Sequence, residues 1–446
     1  MGIWGDLVQK MAVATLGCKV NYCESEALKE LFRQNGYKIV DFGQKADLYI
    51  INTCTVTHLS DRKSRQLIRK ARRQNPEAII CVTGCYAQVS SEEVLQIEEV
   101  DLIVGTHNRQ NLPQMVDEAR QRHVPVNLVE RYPEGDGEVN FEELPVSGQG
   151  RTRAFLKIQE GCRQFCSYCI IPYARGPLRS RSVESVLKAV KELAASGFKE
   201  LVLTGVHLGL YGKDLGGNNS LASLLEQIHR LLEDTGGIER LRLSSLEPAD
   251  MTPDLIETVV KLEKICAHLH LPLQSGDDEI LKKMRRPYDR SWFRALVQHL
   301  RQQLPDIALT TDVMVGFPGE TEAHFWCSYR FIEEMQFSRI HVFKYSPRRG
   351  TPAAKMSGQI TPEVKDERSK VLMKLADELS SRYRRRFIGR TLPVLFEGFF
   401  AEGWLEGLTE HYLRVRAKAK AELSGKLIST KIYADSDGYL LGRIED

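Results

Sequence analysis

Short apolar runs and helical stripes alternate along the first quarter of the chain. Met11–Leu16 is an apolar run that ends at Gly17 and Cys18. Glu24–Gln34 then sets Ala27, Leu28, Leu31 and Phe32 on one helical face, with Gly36 as its stop. Leu48–Asn52 and Ala78–Thr83 read as buried strands, the first ending near Cys54 and the second at Gly84-Cys85. Between them Ser60–Arg73 reads as a long basic helix closed by Asn75-Pro76. Asp101–Val104 and a helix near Asn111–Arg120 complete the segment. Strands alternating with helices predict a parallel sheet covered on both faces. The three cysteines that follow strands lie where an open parallel sheet binds ligands, at the strand carboxyl ends.

Residues 126–150 break the pattern, with Pro133, Gly135, Gly137, Pro145, Gly148 and Gly150 among several acids, and read as a linker. Beyond it the alternation resumes, with strand candidates at Phe155–Gln159, Glu200–Thr204, Leu241–Ser244, His268–Leu271, Leu309–Val315 and Arg339–Tyr345. Helices fall between them, as at Val183–Ala195, Leu221–Leu232 and Thr321–Met335. Right-handed crossovers would close these into an incomplete (β/α)6 barrel, whose site lies at the strand carboxyl ends. The tail is β-rich at Leu392–Phe400, Tyr412–Arg416 and Leu427–Tyr433, with glycines between, and reads as a small antiparallel β-barrel. The expected α/β architecture is thus a small parallel domain (10–125), a linker (126–150), a partial barrel (151–380) and a β-barrel (385–446).

Composition narrows the class. The chain has 446 residues, 42% hydrophobic and 27% charged, the balance of a globular protein. Its 62 basic and 59 acidic residues are too evenly matched to argue for nucleic acid, so any basic surface is local. No apolar run approaches the roughly 20 residues of a membrane helix. Met1–Met11 contains Asp6 and lacks a basic start, unlike a signal peptide. The expected location is cytoplasmic, with no membrane partner. There, ten cysteines point to metal ligands or catalytic thiols rather than disulfides.

Cys162, Cys166 and Cys169 form CxxxCxxC directly after the first barrel strand. Three thiolates on one loop repel unless they share a cation, and soft sulfur selects zinc or iron–sulfur clusters. Three thiolates on a four-iron cubane leave one iron open to a small ligand. The competing reading is a zinc knuckle with a distant fourth ligand, although structural zinc favours a closed set of four. Cys18, Cys54 and Cys85 are far apart in sequence but follow strands of one sheet. They read either as converging ligands or as buried structural cysteines. Cys81 lies inside an apolar strand, Cys266 and Cys327 are isolated, and Cys23 follows Cys18 by five residues; all four read as structural.

The stretch EGCRQFCSYCIIPYARG (Glu160–Gly176) resembles the signature of the methylthiotransferases, a branch of the radical S-adenosylmethionine enzymes. TLGCKVN, INTCTVT and TGCYAQ, with Cys18, Cys54 and Cys85, resemble the same family, as do LTGVHLG, SSLEP, HLPLQSG and DVMVGFPGET. The tail resembles the RNA-binding TRAM module. The resemblance spans nearly the whole chain. It implies two [4Fe-4S] clusters, one on Cys162, Cys166 and Cys169 that cleaves S-adenosylmethionine, and one on Cys18, Cys54 and Cys85 that presents sulfur. It also implies a cofactor-approach region at Gly205. Ser245 and Glu247, after the third barrel strand, are candidates to bond the ribose or amino group, and Arg181 to pair a carboxylate. His207 and His270 read as loop or core histidines.

Arg62, Lys63, Arg65, Arg69, Lys70, Arg72 and Arg73 lie on one predicted helix with Asp61 as the only acid. Such a patch suits phosphates, although a charge run is also an ordinary solvated face. A second run, Arg382 to Arg386 with Arg384 and Arg385 at its centre, leads into the β-barrel, where Tyr412, Arg414, Arg416, Lys418 and Lys420 would extend an RNA-binding face. By resemblance the expected reaction is methylthiolation at carbon 2 of N6-threonylcarbamoyladenosine beside the tRNA anticodon. The expected partners are the anticodon stem-loop and an electron donor such as flavodoxin or ferredoxin, for a monomeric enzyme. Isopentenyladenosine tRNA and a ribosomal-protein aspartate are the alternative substrates, and a zinc-stabilised RNA-binding protein without activity is the alternative of another class.

Overall fold

The computed structural model describes residues 8–122, 124–133, 139–147, 152–401, 403–419 and 422–445. The first seven residues, the linker glycines Gly135, Gly137, Gly148 and Gly150, and Lys420 lie outside these ranges. The chain divides into two compact units. The first is Met1–Gly150, Lys157–Phe165 and Cys169–Arg181, and the second is Arg151–Leu156, Cys166–Tyr168 and Ser182–Asp446.

The first unit opens with β1 (Lys10–Thr15), α1 (Lys19–Gln34), β2 (Lys38–Val40), β3 (Leu48–Thr53), α2 (His58–Gln74) and β4 (Ile79–Gly84). It continues through α3 (Cys85–Val89), α4 (Ser91–Leu95), β5 (Leu102–Ile103), α5 (Leu112–Arg122) and β6 (Val126–Asn127). The strands form one six-stranded sheet in the order β2-β1-β3-β4-β5-β6, with every pairing parallel. Alternation along β3 builds both faces. Tyr49 and Ile51 pack with Ile68 of α2, while Leu48 and Ile50 pack with Leu28 and Phe32 of α1. The α2 start is set by Thr57, whose side chain accepts from the Ser60 N–H, with Asp61 in the first turn and Arg72 and Arg73 in the last, matching the helix dipole.

β7 (Arg153–Glu160) carries the chain from the second unit into the first. There its last residues pair antiparallel with β8 (Arg179–Ser180), after α6 (Ile171–Arg175). Contacts therefore group most of the cysteine loop with the first unit, whereas the change of pattern falls at 150/151. The cause is a buried ionic network that draws Lys157, Glu160 and Arg175 to α1.

In the second unit α7 (Val183–Ala195), β9 (Glu200–Gly205), α8 (Leu221–Thr235), β10 (Arg240–Leu243), α9 (Pro253–Lys261) and β11 (His268–His270) follow. Then come α10 (Asp278–Lys283), α11 (Arg290–Gln303), β12 (Ala308–Val315), α12 (Glu322–Met335), β13 (Arg339–Lys344) and α13 (Pro362–Arg385). The strands β10-β9-β7 and β11-β12-β13 lie in chain order in two sheets. Parallel bridges Leu241–Ile265 and Ser245–His270 join β10 to the β11 side, so six strands make a curled partial barrel.

A closed five-stranded barrel ends the chain: β14 (Thr391–Ala401), β15 (Trp404–Leu408), β16 (Arg414–Lys418), β17 (Leu427–Ser436) and β18 (Tyr439–Ile444), in the order β14-β15-β16-β18-β17. One pairing, β16 with β18, is parallel; the others for which register is resolved are antiparallel. Buried arginines tie this barrel to the sheet beside it. Arg240 donates to Pro393 O at 2.6 Å, and Arg242 donates to Glu410 O at 2.9 Å and Thr409 O at 3.1 Å. Arg384 is buried and paired with Asp435 at 2.5 Å, so this residue of the expected RNA-binding run serves the fold instead. No helix among the described residues is long and apolar enough to cross a membrane.

Candidate functional site

β1, β3 and β4 are adjacent, and each delivers a cysteine at its carboxyl end. Cys18 caps α1, Cys54 follows β3 directly, and Cys85 opens α3. Parallel neighbours lie about 4.8 Å apart, so three successive strand ends bring these residues to one edge. Glycines make the turns possible. Gly17 and Gly84 have φ of +107° and +93°. A Cβ on Gly17 would lie 2.9 Å from the Cys54 Cβ, and one on Gly84 would lie 2.5 Å from Asn52 Oδ1 and from Thr53 O. Amides and hydroxyls stitch the strand ends together. Asn21 Nδ2 donates to Leu16 O at 2.7 Å and to Thr53 O at 2.9 Å, and Thr53 Oγ1 donates to Thr83 O at 2.6 Å.

Cys54 and Cys85 are buried and Cys18 is exposed. Burial raises the Cys54 thiol, and the neighbouring Cys18 adds to the rise. Burial pushes the Cys85 thiol up to about 12; Arg175 opposes the shift, and Cys54 and Cys18 reinforce it. Two buried thiols whose ionisation is hindered, beside a third cysteine at the same sheet edge, form a site that a soft cation would complete, since a coordinating thiol is deprotonated outright. Cys23 points instead among Glu24 and Lys157, and its thiol is pushed up to about 11 by burial.

The second cysteine set repeats the strand–glycine–cysteine turn. Gly161 has φ of +76°, and a Cβ there would strike Pro177 O. The Cys162 N–H donates to Gly176 O at 3.1 Å, folding the loop back on itself. In the second unit Cys166 is buried and accepts from Arg286 Nη1 at 3.4 Å. Ser167 beside it is fixed by its hydroxyl to Lys283 O at 2.7 Å and by its N–H to Met284 O at 3.1 Å.

Sequence reasoning missed Arg286 because nothing in its neighbourhood resembles a ligand. Its Nη2 also donates to Glu247 and, at 2.9 Å, to the Tyr288 hydroxyl. Glu247 is therefore already ion-paired; burial raises its carboxyl, against the pull of Arg286. Gly205 ends β9, and Ser245 bridges to His270. His207 Nε2 lies 2.7 Å from Asp250. His270 sits with Asp312 and His341, their ligand atoms all within 4.8 Å of one another. Arg181 pairs with Glu143 at 2.8 Å through one of its five donors.

Of the basic residues on α2, Arg62, Lys63, Arg69 and Lys70 are exposed. Arg65 instead donates to the Tyr86 hydroxyl at 3.0 Å and pairs with Glu93 at 3.2 Å. Arg72 is bound to Asp101 at 2.7 Å and to three backbone carbonyls. On the terminal barrel Phe399, Phe400 and Tyr433 are exposed, and Arg416 stacks 3.4 Å over the Phe400 ring. Arg414 and Lys418 are exposed on the same strand, β16.

Residues 10–105 match the Uncharacterized protein family UPF0004, and residues 156–332 match the Radical SAM superfamily. The chain is 45% identical over 445 residues to the threonylcarbamoyladenosine tRNA methylthiotransferase MtaB of Bacillus subtilis (strain 168), covering 98% of this chain and 97% of the relative. It is 40% identical to the protein of the same name from Aquifex aeolicus (strain VF5), covering 95% of this chain and all 100% of the relative. It is 37% identical to the tRNA-2-methylthio-N(6)-dimethylallyladenosine synthase of Moorella thermoacetica, covering 97% and 98%. Among solved structures, the fold is similar to that of the radical S-adenosylmethionine methyltransferase TsrM from Kitasatospora setae. The TM-score is 0.57 and the identity 15%, covering 78% of this chain and 77% of that one.

Proposed function

The chain belongs to the radical S-adenosylmethionine methylthiotransferase family, and on that premise we propose that it inserts a methylthio group at carbon 2 of N6-threonylcarbamoyladenosine in tRNA. The observation that carries this reading is the 45% identity, over nearly the full length of both chains, to a relative named for that substrate. Relatives named for dimethylallyladenosine match at lower identity, 37% for the Moorella thermoacetica protein, and stand as the second reading.

The cofactors are S-adenosylmethionine and [4Fe-4S] clusters. When bound, they supply the electron, the radical and the sulfur for substitution at a carbon that acid–base chemistry cannot activate. The chain's own residues do the holding. Cys162, Cys166 and Cys169 take the cluster that binds S-adenosylmethionine, and Cys18, Cys54 and Cys85 take the second. The donor sets fit, because each offers three soft ligands and leaves one iron of a cubane without a protein ligand. Gly205 and Ser245, at barrel strand ends, lie where the nucleoside part of S-adenosylmethionine would approach. Arg286 holds Glu247 and touches Cys166, so it orients a carboxylate beside the ligand loop.

The exposed cations of α2 and the basic aromatic surface of the terminal barrel are the proposed contacts to the anticodon stem-loop, acting in the cytoplasm. A small electron carrier such as flavodoxin or ferredoxin is the proposed reductant, and the monomer the proposed working form. The test is mass spectrometry of tRNA nucleosides from cells lacking the gene. The methylthio form of threonylcarbamoyladenosine should disappear and return with the gene. Loss of the methylthio form of isopentenyladenosine alone would transfer the assignment to the second reading.

A further inference from the structure

Arg175 ends α6, six residues beyond Cys169 in the same signature loop, and its side chain is buried in the first unit at 1% exposure. A guanidinium has five N–H donors in a rigid fork. Here the partners account for all five. Nε donates to Cys85 Sγ at 3.2 Å. Nη1 donates to Glu24 at 2.6 Å and to Glu160 at 3.3 Å, and Nη2 to Asn21 Oδ1 at 2.5 Å and to Glu24 at 3.1 Å. Four donors held by oxygen fix the direction of the fifth.

The charges around it balance. Lys157 bonds Glu24 at 2.8 Å and Glu160 at 2.7 Å, while Arg109 bonds Glu24 at 2.9 Å and Glu142 at 2.6 Å. Arg109, Lys157 and Arg175 thus face Glu24, Glu142 and Glu160. A structural role explains four of the Arg175 bonds. It does not explain why a charged donor in so costly a setting is aimed at sulfur, since a thiol is a weak acceptor. A metal-bound thiolate is a strong one, and hydrogen bonds to cluster sulfurs set cluster potentials.

We infer that Arg175 is a positioning residue that holds Cys85 in place and raises the reduction potential of the cluster on Cys18, Cys54 and Cys85. The inference rests on the proposed assignment of those three cysteines as cluster ligands. Through Arg175, the loop that carries the S-adenosylmethionine-binding cysteines governs the electron affinity of the sulfur-presenting centre. Glu24, on the helix capped by Cys18, and Glu160, two residues before Cys162, are the struts that aim it.

The test uses the full chain with Cys162, Cys166 and Cys169 changed to Ala, which leaves one cluster to observe. Iron content and an anaerobic redox titration followed by electron paramagnetic resonance are compared with and without changes at Arg175. Arg175→Lys keeps the charge. The pair Arg175→Gln with Glu160→Gln removes one cation and one anion together, so the buried charge stays balanced and the chain is expected to fold where Arg175→Ala alone fails. The midpoint potential should move to more negative values in the balanced pair, and less so in Arg175→Lys. Faster iron release to a chelator from a folded variant also supports the inference. An unchanged potential with an unchanged release rate overturns it. Absence of iron from the triple-Ala parent itself overturns the ligand assignment instead, which separates the two failures.

Discussion

Each proposed cluster ligand set has one thiol paired with one arginine: Arg175 with Cys85 and Arg286 with Cys166. Neither arginine stands out in the sequence, where it is one of 62 basic residues. The cysteines do stand out, because three thiols in CxxxCxxC have few uses other than sharing a cation. The two sets are expected to separate by function. Cys166→Ala should abolish cleavage of S-adenosylmethionine, read as loss of 5′-deoxyadenosine in an anaerobic assay, while the other centre keeps its iron. Cys54→Ala should still yield 5′-deoxyadenosine but give no methylthiolated tRNA. Methylthiolated product from the Cys54 variant would end the division of labour proposed for the two sets.

Among the elements, the strand–glycine–cysteine turn recurs three times, after β1, β4 and β7, with the glycine at positive φ each time. A side chain at Gly17, Gly84 or Gly161 would strike backbone or ligand atoms, so these turns are part of the site. The terminal barrel depends on a different kind of burial. His411 is buried, its ring centroid 4.7 Å from that of Phe387, and its Nδ1 has no hydrogen-bond partner among the described residues. Burial lowers its pKa to about 4 from the ordinary 6.5, with Asp306 opposing the shift. The folded state therefore favours the neutral ring, while the unfolded chain takes up a proton below pH 6.5. Its contribution to stability is complete above that value and is lost as the pH falls towards 4. The loss is about 3 kcal/mol for a shift of this size. Denaturation midpoints measured between pH 7 and pH 4 should fall less steeply for His411→Phe than for the native protein.

For the whole molecule, the near balance of charge hides a local separation. On α2 the exposed Arg62, Lys63 and Lys70 face solvent, whereas Arg65, Arg69 and Arg72 pair with acids within the first unit. Reversing Arg62 and Lys63 to Glu should weaken tRNA binding and flatten its dependence on salt, by about one unit of log–log slope for each phosphate no longer neutralised. Arg384→Gln should behave differently. Its guanidinium is committed to Asp435, so thermal stability should drop while the salt dependence of tRNA binding stays native. Filter-binding titrations across a salt series, set beside thermal melts, distinguish the two. Equal salt slopes for the native and Arg62/Lys63 proteins would remove α2 from the interface.

Much of the architecture was legible in the chain. Apolar periodicity marked β1, β3 and β4 and the six barrel strands to within a few residues, because a buried strand or helix face needs a regular hydrophobic repeat whatever its neighbours. The cysteine spacing pointed to the cofactor chemistry because thiols on one loop are near one another by chain connectivity. Short elements such as β2, β6 and β8, the buried arginine network and the fate of the basic runs were decided only on folding. Arg175 and Glu24 are 151 residues apart, and Arg384 and Asp435 are 51 apart. A charge has no periodic signature and looks the same in sequence whether it ends in water or against a carboxylate. Only tertiary packing, which removes the water, turned Arg384 into a strut and aimed Arg175 at a cysteine sulfur.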